Sequence, residues 1–148
     1  MFNEICIYEA KIEKQEEIEE LMREVTEFYR SLPGVVEVRY IKRTHRQKDF
    51  NAVKAGEPPI RLTRQVGKVT YMLYLVVEDE QTHANLYKPA LEKFYKRWNR
   101  CLLSMPKVSL FLSREISTHA LRTEGGVVDL DEDTTKKFQP TPSVQRAA

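Results

Sequence analysis

The chain is predicted to be an α+β protein, ferredoxin-like in its β-α-β-β-α-β order, with one four-stranded antiparallel sheet. Three observations predict it. Two strand–helix–strand blocks follow each other, at 3–46 and 67–116. Residues 14–31 carry a single apolar stripe of helical period. In the strand order 4-1-3-2 the central strands are the first and third, and 3–12 and 67–78 are indeed the most apolar.

Strand one, 3–12, contains Ile5-Cys6-Ile7-Tyr8, apolar on both faces. In helix one, 14–31, Ile18, Leu21, Met22, Val25, Phe28, Tyr29 and Leu32 line one side, and Glu16, Glu17, Glu19, Glu20, Glu24 and Glu27 lie elsewhere. Leu32-Pro33-Gly34 stops it, because Pro33 disfavours helical angles at Leu32 and Gly34 supplies a left-handed turn. Strand two, 35–46, mixes Glu37, Arg39 and Lys42 into its pattern, as an edge strand does. Strand three, 67–78, includes Val69 to Val77, apolar or aromatic at nearly every position. Helix two lies within 80–103 on Leu86, Tyr87, Ala90, Leu91, Phe94, Trp98 and Leu102. Pro89 falls inside that stripe. Either the helix starts near Lys88, or a turn at 80–87 continues through a kink, which is the preferred reading. Strand four spans 107–116.

One domain is expected at 1–118, with a long connection at 47–66 and a C-terminal extension at 119–148. Within the extension, 126–130 reads as a short added strand and the rest as a flexible tail. That strand is expected to join an exposed sheet edge, most plausibly in a partner subunit.

A net charge of +2 gives no global attraction to nucleic acid or to an anionic membrane. No apolar run approaches the ~20 residues needed to span a bilayer, so no membrane partner is expected. The start, Met-Phe-Asn-Glu, shows no basic segment leading into an apolar one, and a cytoplasmic location is expected. Cys6 and Cys101 read as small buried hydrophobes, not a disulfide framework. His45, His83 and His119 have no partner at metal-ligand spacing, so no metal is expected, and with no G-x-G-x-x-G or P-loop motif no cofactor is expected. RNA-recognition motifs share the element order, but Gly67-Lys68-Val69-Thr70-Tyr71 lacks their basic-Gly-aromatic spacing, and nucleic-acid binding is disfavoured.

Two helices cover one face of a four-stranded sheet, yet Tyr71, Met72, Leu73, Tyr74 and Leu75 cannot all point at those helices. A second copy is the simplest cover, and a homodimer is expected. With this element order, the Leu32-Pro33-Gly34-Val35 turn and the Val76-Val77-Glu78-Asp79-Glu80 entry to helix two, residues 3–116 resemble the dimeric α+β-barrel superfamily, the antibiotic-biosynthesis-monooxygenase-like proteins. The resemblance implies a paired barrel and, in its monooxygenase-like members, oxidation of electron-rich phenols without metal or bound cofactor. Its haem-degrading members use a matched Asn, Trp and His. Here Trp98 is on a helix and Asn3 has no counterpart, which disfavours haem degradation.

A pocket between sheet and helices is expected to be lined by Tyr8, Tyr74, Tyr87 and Trp98, suited to a small aromatic ligand. His83 is the candidate catalytic acid, base or orienting donor. A second reading of these rings is core and interface packing. The function therefore reads as a small-molecule-binding barrel, in one version a cofactor-independent monooxygenase-like enzyme acting on an aromatic compound. The other version is a non-enzymatic dimeric ligand-binding or protein-interaction module.

Overall fold

Alternation along a strand decides which side chains meet the helices, and in β1 (Phe2–Lys11) it buries Glu4, Cys6, Tyr8 and Ala10. The computed structural model describes residues 1–64, 66–114, 116, 122–123 and 126–127. The chain divides into two compact units, Met1–Leu112 and Ser113–Ala148. In the first unit β1 and a 3₁₀ turn (Ile12–Lys14) lead to α1 (Gln15–Arg30), β2 (Val35–Lys42), β3 (His45–Arg46) and α2 (Phe50–Lys54). Then come β4 (Ile60–Arg61), β5 (Lys68–Val77), α3 (Glu80–Cys101) and β6 (Lys107–Leu112). In the second, β7 (Arg122–Thr123) pairs antiparallel with β8 (Gly126–Val127). Of the expected added strand at 126–130, Gly126–Val127 pairs with Arg122–Thr123, and residues 128–130 lie outside the described ones.

The sheet order is β2-β5-β1-β6 with every pairing antiparallel, the ferredoxin-like arrangement that the apolar pattern predicts. β1 and β5 pair along their whole length, from Phe2 opposite Val77 to Lys11 opposite Lys68. Both helices lie on one face. Ile18, Leu21, Met22, Val25 and Tyr29 of α1 meet Leu86, Ala90, Phe94 and Cys101 of α3 over Val69, Tyr71, Leu73, Leu75 and Val77 of β5. Burying such side chains contributes about 1.5–3 kcal/mol each. The turn after α1 needs its glycine. Gly34 has φ +84°, and a Cβ there would sit 2.6 Å from Thr82 Cγ2.

Two boundaries depart from expectation, and the connection holds a helix. The second strand ends at Lys42, and His45–Arg46 turns away to pair with Ile60–Arg61 in a separate ribbon. The fourth ends at Leu112, short of 116. The 47–66 connection contains α2, closed at its start by Asp49 accepting from Ala52 N at 2.9 Å. α3 starts at Glu80, where Asp79 accepts from Thr82 N at 2.7 Å, and runs through Pro89 to Cys101, so a start near Lys88 is ruled out. Pro89 withholds one backbone donor, and the stripe from Leu86 to Phe94 holds the helix against the core across that gap.

By strand register the opposite face collects Asn3, Ile5 and Ile7 of β1, Met72, Tyr74 and Val76 of β5, Arg39 and Ile41 of β2, and Phe111 of β6. Neither helix covers it. No helix among the described residues is long and apolar enough to cross a membrane.

Candidate functional site

A carboxylate at the centre of the sheet organises the site. β1 alternates Phe2, Glu4, Cys6, Tyr8 and Ala10 toward the helices, so Glu4 stands at a core position and is 0% exposed. A lone ion there would be very costly, and buried charges are therefore partnered. Here α3 provides the partners. His83 and Tyr87 are four residues apart, on one face of its first two turns. His83 Nε2 lies 2.6 Å from Glu4 Oε1, and the Tyr87 hydroxyl donates to both carboxylate oxygens at 2.7 and 2.6 Å. The His83 and Tyr87 rings lie 4.7 Å apart, and Phe2 packs edge-on to His83 at 5.4 Å. The imidazole keeps 14% of its surface in solvent while Glu4 has none.

An ionised Glu4 can only accept, so against it His83 donates through Nε2, and a neutral imidazole in that pairing leaves Nδ1 as an acceptor. Burial, and then the charge of Glu4 and the hydrogen bond to it, push the Tyr87 phenol far above its ordinary range. Burial and then Glu4 also raise Tyr29. Burial pushes the Cys6 thiol up to about 11. Tyr87 is thereby a fixed donor, and His83 is the residue of the cluster that touches both Glu4 and water.

Further along the same face, Tyr8 stacks on Trp98 at 5.0 Å and 17°, with Tyr40 of β2 5.9 Å from Tyr8 and 6.2 Å from Trp98. The Tyr40 hydroxyl is buried without a partner at hydrogen-bonding geometry, an arrangement that costs about 1–3 kcal/mol. Tyr40 also lines a groove of about 730 Å³ between α1 and β2, along with Met22, Thr26, Val38, Lys42 and Tyr71. There the Tyr71 hydroxyl donates to Glu19 at 2.7 Å.

Of the residues chosen from sequence, His83 and Tyr87 converge on Glu4, and Tyr8 and Trp98 stack together. Tyr74 is not among them. It points to the other face, where its hydroxyl accepts from Asn3 Nδ2 at 3.3 Å, because it sits one residue out of phase with the buried Leu73 and Leu75. Asn3 and Trp98 are likewise on opposite sides of the sheet. Sequence reasoning missed Glu4, Tyr40 and Tyr71. Glu4 had a signal: an acid in phase with Phe2, Cys6 and Tyr8 in a central strand. Among the described residues no group of three or more His, Cys, Asp or Glu is placed to hold a metal.

The sequence matches no protein-family model and no curated protein. Solved structures do resemble it. A Nitrosomonas europaea protein assigned as an antibiotic biosynthesis monooxygenase is similar at 15% identity and TM-score 0.54, over 74% of this chain and 86% of that one. SnoaB, a cofactor-independent oxygenase from Streptomyces nogalater, is similar at 13% identity and TM-score 0.51, over 77% and 94%. A monooxygenase from ActVA-Orf6 of Streptomyces coelicolor, solved with nanaomycin D, is similar at 14% and TM-score 0.51, over 80% and 92%. Identities this low speak for the fold alone, and the chain shares the ferredoxin-like α+β fold of these solved monooxygenases.

Proposed function

We propose that this protein binds a flat, largely apolar aromatic molecule and that His83, oriented by Glu4, removes a proton from it, as a cofactor-independent monooxygenase-like enzyme would require. The observation that carries the reading is the fully buried Glu4 held against a partly exposed imidazole. A buried carboxylate contributes little to stability, so a polar pair at this depth is a functional-site candidate. In the proposed step Nδ1 accepts a phenolic proton, Glu4 stabilises the imidazolium through Nε2–H, and the phenolate left behind is electron-rich enough to react with dioxygen. The fold's occurrence in SnoaB and the ActVA-Orf6 protein supports this reading by analogy alone.

The test is a thermal-shift and oxygen-uptake screen of phenolic aromatics. His83→Ala should lower turnover by about 10²–10⁴-fold. Unchanged turnover in His83→Ala would remove the residue from the site. One observation favours the non-enzymatic alternative: Tyr8 already stacks on Trp98, and Tyr40 packs tilted against both rings. A screen without hits would select that reading.

We also propose that the protein is a homodimer, with the face bearing Ile5, Ile7, Met72, Tyr74 and Phe111 as the interface, and that it works in a reducing compartment, where Cys6 and Cys101 stay free. At ~25 cal/mol per Å², several large side chains per subunit supply many kcal/mol. Sedimentation should give twice the 17.4 kDa chain mass, and Met72→Lys should give the single mass or an insoluble protein. A wild-type monomer would refute the assembly.

A further inference from the structure

We propose that the arm formed by β3, α2 and β4 is a docking surface for an anionic lipid bilayer. The weak overall charge conceals how strongly this arm is charged. Residues 43–64 hold six cations, Arg43, Arg46, Lys48, Lys54, Arg61 and Arg64, against Asp49 and Glu57. That is +4 in a chain whose net charge is +2, so the remaining residues sum to −2.

The arm's own acids are already engaged. Glu57 pairs with Lys48 at 2.9 Å, and Asp49 accepts from the α2 backbone. Arg43 and Arg46 donate to backbone carbonyls of His45 and Gln47, and with Lys54, Arg61 and Arg64 they make no ion pair among the described residues. The ribbon is a two-stranded sheet of its own, separate from the main one. Its ladder runs from His45 opposite Arg61 to Arg46 opposite Ile60, extended by Leu62 N donating to Thr44 O at 2.8 Å.

Charge alone would suit any polyanion. The apolar groups at the tip favour lipid. α2 is a single short helix that buries Ala52 and turns Phe50 and Val53 outward, 75% and 37% exposed, with Val66 at the arm's base 71% exposed. Lys54 Nζ lies 5.4 Å over the Phe50 ring, so cation and ring form one contact surface. An aromatic ring and branched aliphatics amid arginines match the headgroup–acyl boundary, where rings insert and cations meet phosphate and carboxylate. Nucleic acid is the weaker fit. Base stacking uses several rings in succession, and the arm offers Phe50 by itself.

The experiment is co-sedimentation of the full chain with phosphatidylcholine vesicles, with and without phosphatidylserine, alongside a duplex DNA competitor. Binding is expected to the phosphatidylserine vesicles only, and to weaken with salt. Arg46→Gln with Arg61→Gln should weaken it about fivefold per cation removed. Phe50→Ser, with every charge intact, should weaken it about tenfold. All three positions are exposed, so thermal melts should match wild type and exclude misfolding as the cause. Three results would each overturn the proposal: no binding to either vesicle, equal binding to both, or binding that Phe50→Ser leaves unchanged and duplex DNA abolishes. The last would make the arm a nucleic-acid surface instead.

Discussion

Raising the pH from about 9 to about 11 is expected to unfold this protein without denaturant, because its core is built from phenols and a thiol that fold only in their neutral forms. Burial holds Tyr8, Tyr29, Tyr40, Tyr71 and Tyr87 above the ordinary tyrosine range, and holds Cys6 near 11 instead of 9.0. Each folded-state value is raised, so the folded chain keeps protons that the unfolded chain releases. Stability is therefore complete below the ordinary values and is lost as the pH climbs past them. By about pH 11 the five tyrosines together cost about 7 kcal/mol and Cys6 about 2 more, against a total stability of about 5–15 kcal/mol. Far-UV ellipticity and the tyrosinate absorbance of these five rings should change in one steep, shared transition. Gradual tyrosinate formation in a chain that keeps its ellipticity would mean that these rings reach solvent in the folded state.

The fold was legible because its signals are long and redundant. The α1 stripe repeats over four turns, and every member from Ile18 to Tyr29 is at least partly buried. The central strands were legible through apolarity on both faces, and the sheet order follows once β1 and β5 are placed in the middle. Boundaries were less legible. Ile41-Lys42-Arg43-Thr44-His45-Arg46 has no break in its residue types, and only the backbone shows that the sheet stops at Lys42 and a second ribbon starts at His45. Pro89 misleads in one direction, since local chemistry argues for a helix start that packing of Leu86 and Phe94 overrides.

The site was half legible. His83 stood out by type and by its position at a helix start, and Tyr87 one turn on shares its face. Their partner did not stand out, because Glu4 is remote in sequence, and one acid near a chain start reads as surface until strand phase is fixed. Tyr74 shows the reverse error: phase alone, alternating along Leu73-Tyr74-Leu75, turns it away from the helices. The basic arm was visible as composition, but the exposure of Phe50 belongs to the tertiary structure.

Glu4→Leu should separate what the carboxylate does for folding from what it does for function. Removing it leaves the Tyr87 hydroxyl buried without an acceptor, while His83 still reaches water with its exposed edge. The single variant is therefore expected to lose about 1–3 kcal/mol. Adding Tyr87→Phe removes the orphaned hydroxyl and should return most of that loss, because an apolar group of similar size replaces a desolvated ion at little or no net cost. Function should follow a different course. In both variants His83 has no fixed tautomer and no anion to stabilise its protonated form, so aromatic-ligand binding and any oxygen uptake should stay depressed even where stability is regained. Chemical denaturation gives the first quantity and the ligand screen the second. A double variant that is stable and fully active would show that Glu4 is only a packing element and that His83 works without it. One that stays as unstable as Glu4→Leu would show that the lost stability lies in the His83 contact and not in the Tyr87 hydroxyl.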